Sequence, residues 1–240
     1  DSTALDATVL SAIGNKTTGT VTVTNAVAIS GTTAQVTAAL VTAGTLVVVS
    51  DAAVTIDDTP TIAELNAIAA KTTGVVTATL AANSLANLAD LTTAGTDAIT
   101  ITVSDADAAE LTAANLSTLG GKTSGTVTVT NAVAITGSAS EATAALVTAG
   151  TLVEVTDATV TINDADSTAL DATVLSAIGN KTTGTVTVTN AVAISGTTAQ
   201  VTAALVTAGT LVVVSDAAVT IDDTPTIAEL NAIAAKTTGV

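Results

Sequence analysis

One long internal repeat constrains the fold of this chain more than any other feature of its sequence. Residues 1–75 recur without a single change at residues 166–240, so the sequence returns to the same point after 165 positions. A chain that repeats at a fixed interval builds the same structural unit several times and packs each copy on its neighbours, as solenoid proteins do. We therefore expect a repeat architecture and not a globular domain with one unique core.

A shorter period lies within the long one and is marked by the tetrapeptide Lys-Thr-Thr/Ser-Gly. Its lysines are Lys16, Lys71, Lys122, Lys181 and Lys236. Their spacing divides the chain into repeat units of about 1–56, 57–107, 108–165 and 166–221, with a partial unit over 222–240. Each unit has a further glycine near its middle, so six coils share the 165 residues, at 27.5 residues each. We predict one continuous solenoid over residues 1–240.

The residue pattern within a coil predicts two strands followed by a helix. Residues 20–24 alternate threonine and valine, and residues 27–29 form a second short run with two β-branched side chains. Both runs are typical of strands that bury one face. Residues 32–43 then carry apolar side chains at intervals of three and four, which predicts a helix. The following half-unit repeats this order with strands over 46–50 and 54–56 and a helix over about 61–73.

Signals at the helix ends support this assignment. A threonine or serine followed three positions later by glutamine or glutamate forms a capping box, which starts a helix. The pairs are Thr32 with Gln35, Thr61 with Glu64, and Ser138 with Glu141. We expect Gly44 to end the first of these helices in the left-handed conformation that glycine adopts without strain.

One substitution between repeat units indicates which side of a strand faces solvent. Glu154 stands where another unit has Val48, whereas Val153 matches Val47. Position 48 is therefore predicted to be exposed and its two neighbours to be buried. Four extra residues around 164–169 predict a longer turn or one more helical turn.

These patterns together predict an α/β solenoid of strand-strand-helix coils, with stacked parallel sheets and a layer of short, alanine-rich helices. Strands pair about 4.8 Å apart, whereas helices pack about 8–10 Å apart. We expect the array to curve gently or to form a superhelix in order to satisfy both spacings.

Composition removes most functional classes. The chain has no His, Cys, Tyr, Trp, Phe or Met, and its five basic residues face 21 acidic ones, for a formal net charge of −16. Nucleic acid is excluded as a partner because phosphate binding requires clustered Lys or Arg. Membrane contact is not expected, because no apolar run approaches the roughly 20 residues of a spanning helix. We expect no enzymatic activity and no catalytic residue.

Acidic pairs at predicted corners are the candidate metal ligands. Oxygen ligands at positions i and i+2 suit a hard cation such as calcium. The residues are Asp57, Asp58, Asp105, Asp107, Asp164, Asp166, Asp222 and Asp223. The sequence leaves two interpretations open, namely weak calcium sites and solvated acids that cap turns and helices. No other cofactor is expected.

Outward-facing apolar residues are the candidate surface for self-association. They are Leu46, Val48, Leu211 and Val213. A repeated apolar stripe favours side-by-side association, although tolerated exposure to solvent explains it equally well. Outward threonines, as in residues 20–24, are not expected to form an array, because the adjacent coil presents Leu46 and Val48 instead. Association of copies end to end or laterally, surface glycans and divalent cations are the remaining candidate partners.

Two segments resemble repeats of a known kind of protein. Glu64-Leu65-Asn66-Ala67-Ile68 followed by Lys71-Thr72-Thr73-Gly74, with Gly31 to Val36 in the companion half-unit, is similar to repeats in giant cell-surface or secreted proteins of cyanobacteria, including those linked to swimming motility. The resemblance implies an exported protein of many repeats, at the cell surface or in extracellular fibres. Our leading hypothesis is a structural fibre, spacer or surface-layer component, and the alternative is an adhesin or a calcium-responsive surface binding module.

Overall fold

The protein is an α/β fold of short helices and parallel strands. The computed structural model describes residues 4–151, 153–210 and 212–239. The chain divides into two compact units, one of residues up to 103 with 119–127, the other of residues 104–118 with those from 128 onward. The predicted α/β class with parallel sheets is confirmed, while the continuous solenoid stays a prediction.

The first compact unit contains seven strands and four helices among the described residues. In chain order they are β1 (Leu5–Asp6), α1 (Ala7–Gly14), β2 (Val21–Val23), β3 (Ala28–Gly31), α2 (Thr33–Leu40), β4 (Val47–Val49), β5 (Ala53–Ile56), α3 (Ile62–Ala69), β6 (Val76–Thr79), α4 (Leu85–Leu88) and β7 (Ala98–Val103).

The remaining elements belong to the second compact unit, except that α5 and β9 cross the boundary along the chain. In order they are β8 (Glu110–Thr112), α5 (Ala113–Gly120), β9 (Val127–Val129), β10 (Ala134–Gly137), α6 (Ala139–Leu146), β11 (Thr159–Ile162), β12 (Ala169–Asp171), α7 (Ala172–Gly179), β13 (Val186–Val188), β14 (Ala193–Gly196), α8 (Thr198–Val201), β15 (Val212–Val214), β16 (Ala218–Ile221) and α9 (Ile227–Ala234). A π-helical turn, Thr202–Val206, continues α8.

The predicted order of strand, strand and helix is found along the chain as β2-β3-α2 and β4-β5-α3, and again as β13-β14-α8 and β15-β16-α9. The elements are shorter than predicted. The helix expected over 32–43 ends at Leu40, and Ala43 is exposed beyond it.

Strands pair with strands of neighbouring coils. In the first compact unit, the strand order of the main sheet runs β1-β3-β5-β6-β7, and β2 pairs separately with β4. Residues side by side in this sheet lie 21 to 25 positions apart, as Thr77 beside Ala98 and Ala28 beside Ala53 show. In the second unit the orders are β8-β10-β11-β13-β15 and β12-β14-β16.

The predicted inside and outside of the strands are confirmed. Val47 and Val49 are buried and Val48 is exposed, and Glu154 is likewise exposed next to the buried Val153. Because successive side chains of a strand point to opposite faces, this alternation buries one side of each strand. The core is built of Ala, Val, Ile and Leu.

The helix starts follow the sequence, but the predicted helix end is wrong. All three capping boxes form, with both the side-chain and the return hydrogen bond. Gly44, however, lies beyond the end of α2, and its φ is not positive. The last carbonyls of α2 are satisfied otherwise: Val41 and Thr42 both donate backbone N–H bonds to Thr37, and the Thr45 hydroxyl donates to the Ala38 carbonyl.

The four extra residues around 164–169 form a turn and not an additional helical turn. Ser167 has a left-handed φ of 65° in this turn, and the chain then enters strand β12. Ala108 has a similar φ of 60° in the corresponding turn before β8. These two residues are the only non-glycine residues with positive φ in the described part of the chain.

Candidate functional site

The tetrapeptide that marks the repeat is the contact between consecutive coils. In the second compact unit, the Thr182 hydroxyl donates to the Ala158 carbonyl, 24 positions earlier, and accepts the Gly184 backbone N–H at 3.0 Å. Thr183 donates both its backbone N–H and its hydroxyl to the Thr156 carbonyl, at 2.8 and 3.1 Å. Two adjacent threonines thus bind one coil to the bend that leads into β11 in the coil before it.

The same contact recurs in the first compact unit. The Thr72 hydroxyl donates to the Ala52 carbonyl at 2.6 Å, and the Thr73 hydroxyl donates to Ser50 at 3.0 Å. Thr123 donates to the carbonyls of Asp97 and Ile99. We call this arrangement the threonine contact.

The glycine of the tetrapeptide is required by space and not by its backbone angles. A Cβ added at Gly74 would overlap the Ala52 carbonyl, and one at Gly184 would overlap the Ala158 carbonyl. Neither residue has a positive φ. The glycine therefore lets two backbones approach more closely than any side chain would allow.

The first tetrapeptide of the chain forms only the local part of this contact. The Gly19 backbone N–H donates to the Thr17 hydroxyl at 3.0 Å, as in the other copies. A Cβ added at Gly19 would meet only that hydroxyl, at 3.4 Å. Among the described residues, this turn thus forms without the backbone contact that the other copies make.

Three of the predicted calcium ligands cap helices of the preceding coil. The Asp58 carboxylate accepts the Thr33 backbone N–H at 2.7 Å, at the first residue of α2. Asp164 accepts the Ala139 backbone N–H at the start of α6, and Asp223 accepts that of Thr198 at the start of α8. A carboxylate at this position satisfies an otherwise unpaired N–H group and interacts favourably with the helix dipole.

Threonine hydroxyls lower the pKa of two of these carboxylates. Hydrogen bonds from the Thr33 hydroxyl and backbone hold the pKa of Asp58 below its ordinary value, and Thr198 lowers the pKa of Asp223 in the same way. Both carboxyls are stabilised in the ionised form, because a charged acceptor strengthens each bond.

Acids in the turns at 105–107 and 164–166 also bind the following coil. The Asp107 carboxylate accepts the Ala132 backbone N–H at 3.1 Å, and the Asn131 amide donates to the Asp105 carbonyl at 2.6 Å. Asp166 bonds Ala191 and Asn190 bonds Asp164 in the same arrangement. No local pattern in the sequence indicates these partners, which lie 25 and 26 positions away.

These hydrogen bonds show how the acids are used, and the calcium sites stay a prediction. Asp57 and Asp222 are exposed beside the two capping carboxylates. Among the described residues, no group of three acidic side chains stands close enough together to hold a metal ion.

The residues predicted for self-association are exposed where the structure describes them. Leu46 and Val48 are exposed in the first compact unit, and Val213 in the second. Leu211 lies outside the described residues.

The outward threonines form an array in the second compact unit but not at β4. At β4, as expected, the threonine row is interrupted, because Val48 lies beside Thr22. In the second unit, however, the outer positions of adjacent strands form a ladder of Thr112, Thr136, Thr161 and Thr187, ending at Val213.

Sequence reasoning also missed one buried acid. Asp97 is buried, and its carboxylate accepts the backbone N–H groups of Val76 and Ala94 at 2.8 and 2.9 Å. A buried carboxylate requires such donors. Asp97, which directly precedes β7, thus binds the first residue of β6.

Comparisons with known proteins give no relative. No protein-family model, curated protein or solved structure matches this chain. In the described part of the chain, no helix has the length and apolar character needed to cross a membrane.

Proposed function

We propose that this chain is a structural extracellular repeat protein that acts as a fibre, spacer or surface-layer component. Its coils would form a continuous solenoid whose length grows with the number of repeats. The observation that carries the proposal is the threonine contact, which joins coils in the same way at Thr72, Thr123, Thr182 and Thr237.

The recurring polar side chains support this role because they are used in holding coils together. Threonines bond the backbone of the preceding coil, glycines let it approach, and aspartates such as Asp58 and Asp223 cap helices 25 positions earlier. In repeat proteins each such interface adds a similar increment of stability. Each added repeat would make such a chain longer without adding a new binding or catalytic group.

The extracellular setting rests on the resemblance of residues 64–74 to repeats of giant cyanobacterial surface and secreted proteins. The chain has few charged residues, most of them acidic, and a net charge of −16. Mutual repulsion of such surfaces keeps a long repeat array soluble and limits non-specific association.

The test is the shape of the protein as repeats are added. We expect small-angle scattering and electron microscopy of chains with one, two and three 165-residue periods to give a particle of constant width and proportionally increasing length. Compact particles whose diameter grows with the cube root of mass would contradict the proposal.

A second candidate, an adhesin or a calcium-responsive surface module, is favoured by one observation. Asp57 and Asp222 are exposed directly beside the capping acids Asp58 and Asp223, so a cation could bind without breaking the cap. Calorimetric titration with calcium tests this branch, with an Asp57→Asn/Asp222→Asn variant as control. Heat of calcium binding that disappears in the variant would favour this second function. The absence of binding heat in the unmodified chain would contradict it.

A further inference from the structure

A small polar cavity lies beside the threonine contact of the first compact unit. Its volume is about 170 Å³, which is enough for a metal cation with a few water molecules. The polar residues that line it are Asn66, Thr72, Thr73, Thr92, Thr96 and Asp97. Among the described residues of its lining there is no lysine. The cavity therefore combines one carboxylate with neutral oxygen-bearing side chains.

Asp97 is the charged residue of this cavity. It is 4% exposed, and its two carboxylate oxygens accept the backbone N–H groups of Val76 and Ala94. A carboxylate has about four lone-pair positions, so each oxygen can accept one further partner. Buried charges in proteins are normally paired with an opposite charge or bound to a metal ion. The two N–H groups are neutral, so they leave the negative charge of Asp97 unbalanced.

A lysine near the cavity does not supply the opposite charge. The Lys122 backbone carbonyl accepts the Thr93 hydroxyl at 2.8 Å, so this lysine lies close to the segment that holds Asp97. Its side-chain ammonium, however, donates to the Ala89 carbonyl at 2.7 Å. In the described part of the chain, the hydrogen bonds of the Asp97 carboxylate are thus made to backbone N–H groups.

The threonine contact itself does not require a carboxylate at this position. The Ser124 backbone N–H donates to the Asp97 carbonyl at 2.7 Å. In the corresponding contact of the preceding coil, the Thr73 N–H donates to the Ser50 carbonyl at 2.8 Å. A neutral serine therefore forms the same backbone contact, and the buried charge of Asp97 needs a separate explanation.

We propose that this cavity binds a monovalent metal cation, sodium or potassium, held by the Asp97 carboxylate and the neighbouring neutral oxygens. Hard cations prefer oxygen ligands such as carboxylates, carbonyls and water. One carboxylate balances one positive charge, which favours a monovalent ion over calcium. The site goes beyond the proposed structural role and does not depend on it.

A cation in this cavity would connect two consecutive coils. Thr72 and Thr73 follow α3, whereas Thr96 and Asp97 directly precede β7, and the cavity lies between these segments. A ligand that binds the folded chain and not the unfolded one stabilises it by an amount set by its concentration and Kd. We therefore expect the stability of the chain to depend on which monovalent cation is present.

Thermal unfolding in sodium, potassium or choline chloride at equal ionic strength tests the site. Choline screens the net charge of −16, but its methyl groups keep its charge away from oxygen ligands. At about five times Kd, we expect sodium or potassium to raise the melting temperature by about 2–4 °C over choline. The larger rise identifies the cation. Equal melting temperatures in the three salts throughout the titration would overturn the proposal.

Three variants separate this site from a general effect of salt. Asp97→Asn removes the charge at constant size, and Ala70→Leu places a larger side chain in the lining of the cavity while Asp97 stays in place. We expect both to lose the difference between the salts. Asp57→Asn removes the same charge at an exposed position and should keep the difference. If Asp97→Asn does not fold, Ala70→Leu decides, and a folded variant of either kind that keeps the full difference would overturn the site.

Discussion

The packing between coils can be measured by placing one substitution at two identical sequence positions. Leu65 of α3 is 0% exposed, and Leu230 of α9, in the same local sequence, is 48% exposed. Leu→Ala at a fully buried site costs about 3 kcal/mol or more. Burying a whole leucine side chain contributes roughly 1.5–3 kcal/mol, so a half-exposed one loses about 1 kcal/mol. We expect Leu65→Ala to destabilise the chain by about 2 kcal/mol more than Leu230→Ala.

Urea unfolding followed by far-UV circular dichroism measures this difference, since the chain has no tryptophan or tyrosine to report fluorescence. Helix propensity cancels in the comparison, because both leucines lie at the same position of an identical helix, Ile62–Ala69 or Ile227–Ala234. Equal losses of unfolding free energy, within about 0.5 kcal/mol, would refute the reasoning that contact with neighbouring coils stabilises this leucine.

Three further predictions concern polar contacts and glycines. Hydrogen bonds from Thr33 depress the pKa of Asp58 in the folded protein. The stabilisation from these bonds should therefore be complete above the ordinary carboxyl pKa of about 4 and be lost as the pH falls through the lower pKa of the folded state. We expect the melting temperatures of the unmodified chain and of Thr33→Val to converge below about pH 4. Gly74→Ala should cost about 1–3 kcal/mol in urea unfolding, because its Cβ meets the Ala52 carbonyl, whereas Gly44→Ala, with nothing within 4 Å, should be neutral or stabilise by about 0.5 kcal/mol. Thr45→Val should cost about 1 kcal/mol by the same assay, because it removes the bond to the last turn of α2.

The sequence was most informative where structure depends on neighbouring residues. The capping boxes at Thr32, Thr61 and Ser138 could be predicted from a spacing of three residues, and the burial of Val47 and Val49 from alternation along one strand. These features need no knowledge of which coil lies alongside.

Contacts between coils could not be predicted because they depend on strand register. Thr182 bonds a residue 24 positions away and Asp58 one 25 positions away, and no local pattern fixes either number. The threonine ladder was missed for the same reason: β11, the second strand of its coil, pairs with β13, the first strand of the next.

The glycine predictions show how one residue type serves two purposes. Gly44 was expected to end a helix, yet the helix ends at Leu40 through threonine hydrogen bonds. Gly74, regarded only as a marker of the period, is required because the Ala52 carbonyl lies where its side chain would be. Backbone conformation depends on residues that are neighbours in sequence. The close approach of two distant chain segments, in contrast, can be recognised only from the three-dimensional structure.

The unequal sequence distances between paired strand residues limit how the gene for such a protein can be lengthened by duplication. Partner residues lie 24, 25, 22 and 21 positions apart along the first sheet, from Leu5 beside Ile29 to Thr77 beside Ala98. A duplication of a single coil would set its threonines and aspartates against the wrong carbonyls and N–H groups. Duplication of the whole 165-residue block keeps every coil next to a neighbour of the length it already fits. The unchanged recurrence of residues 1–75 is what this mode of lengthening leaves in the sequence.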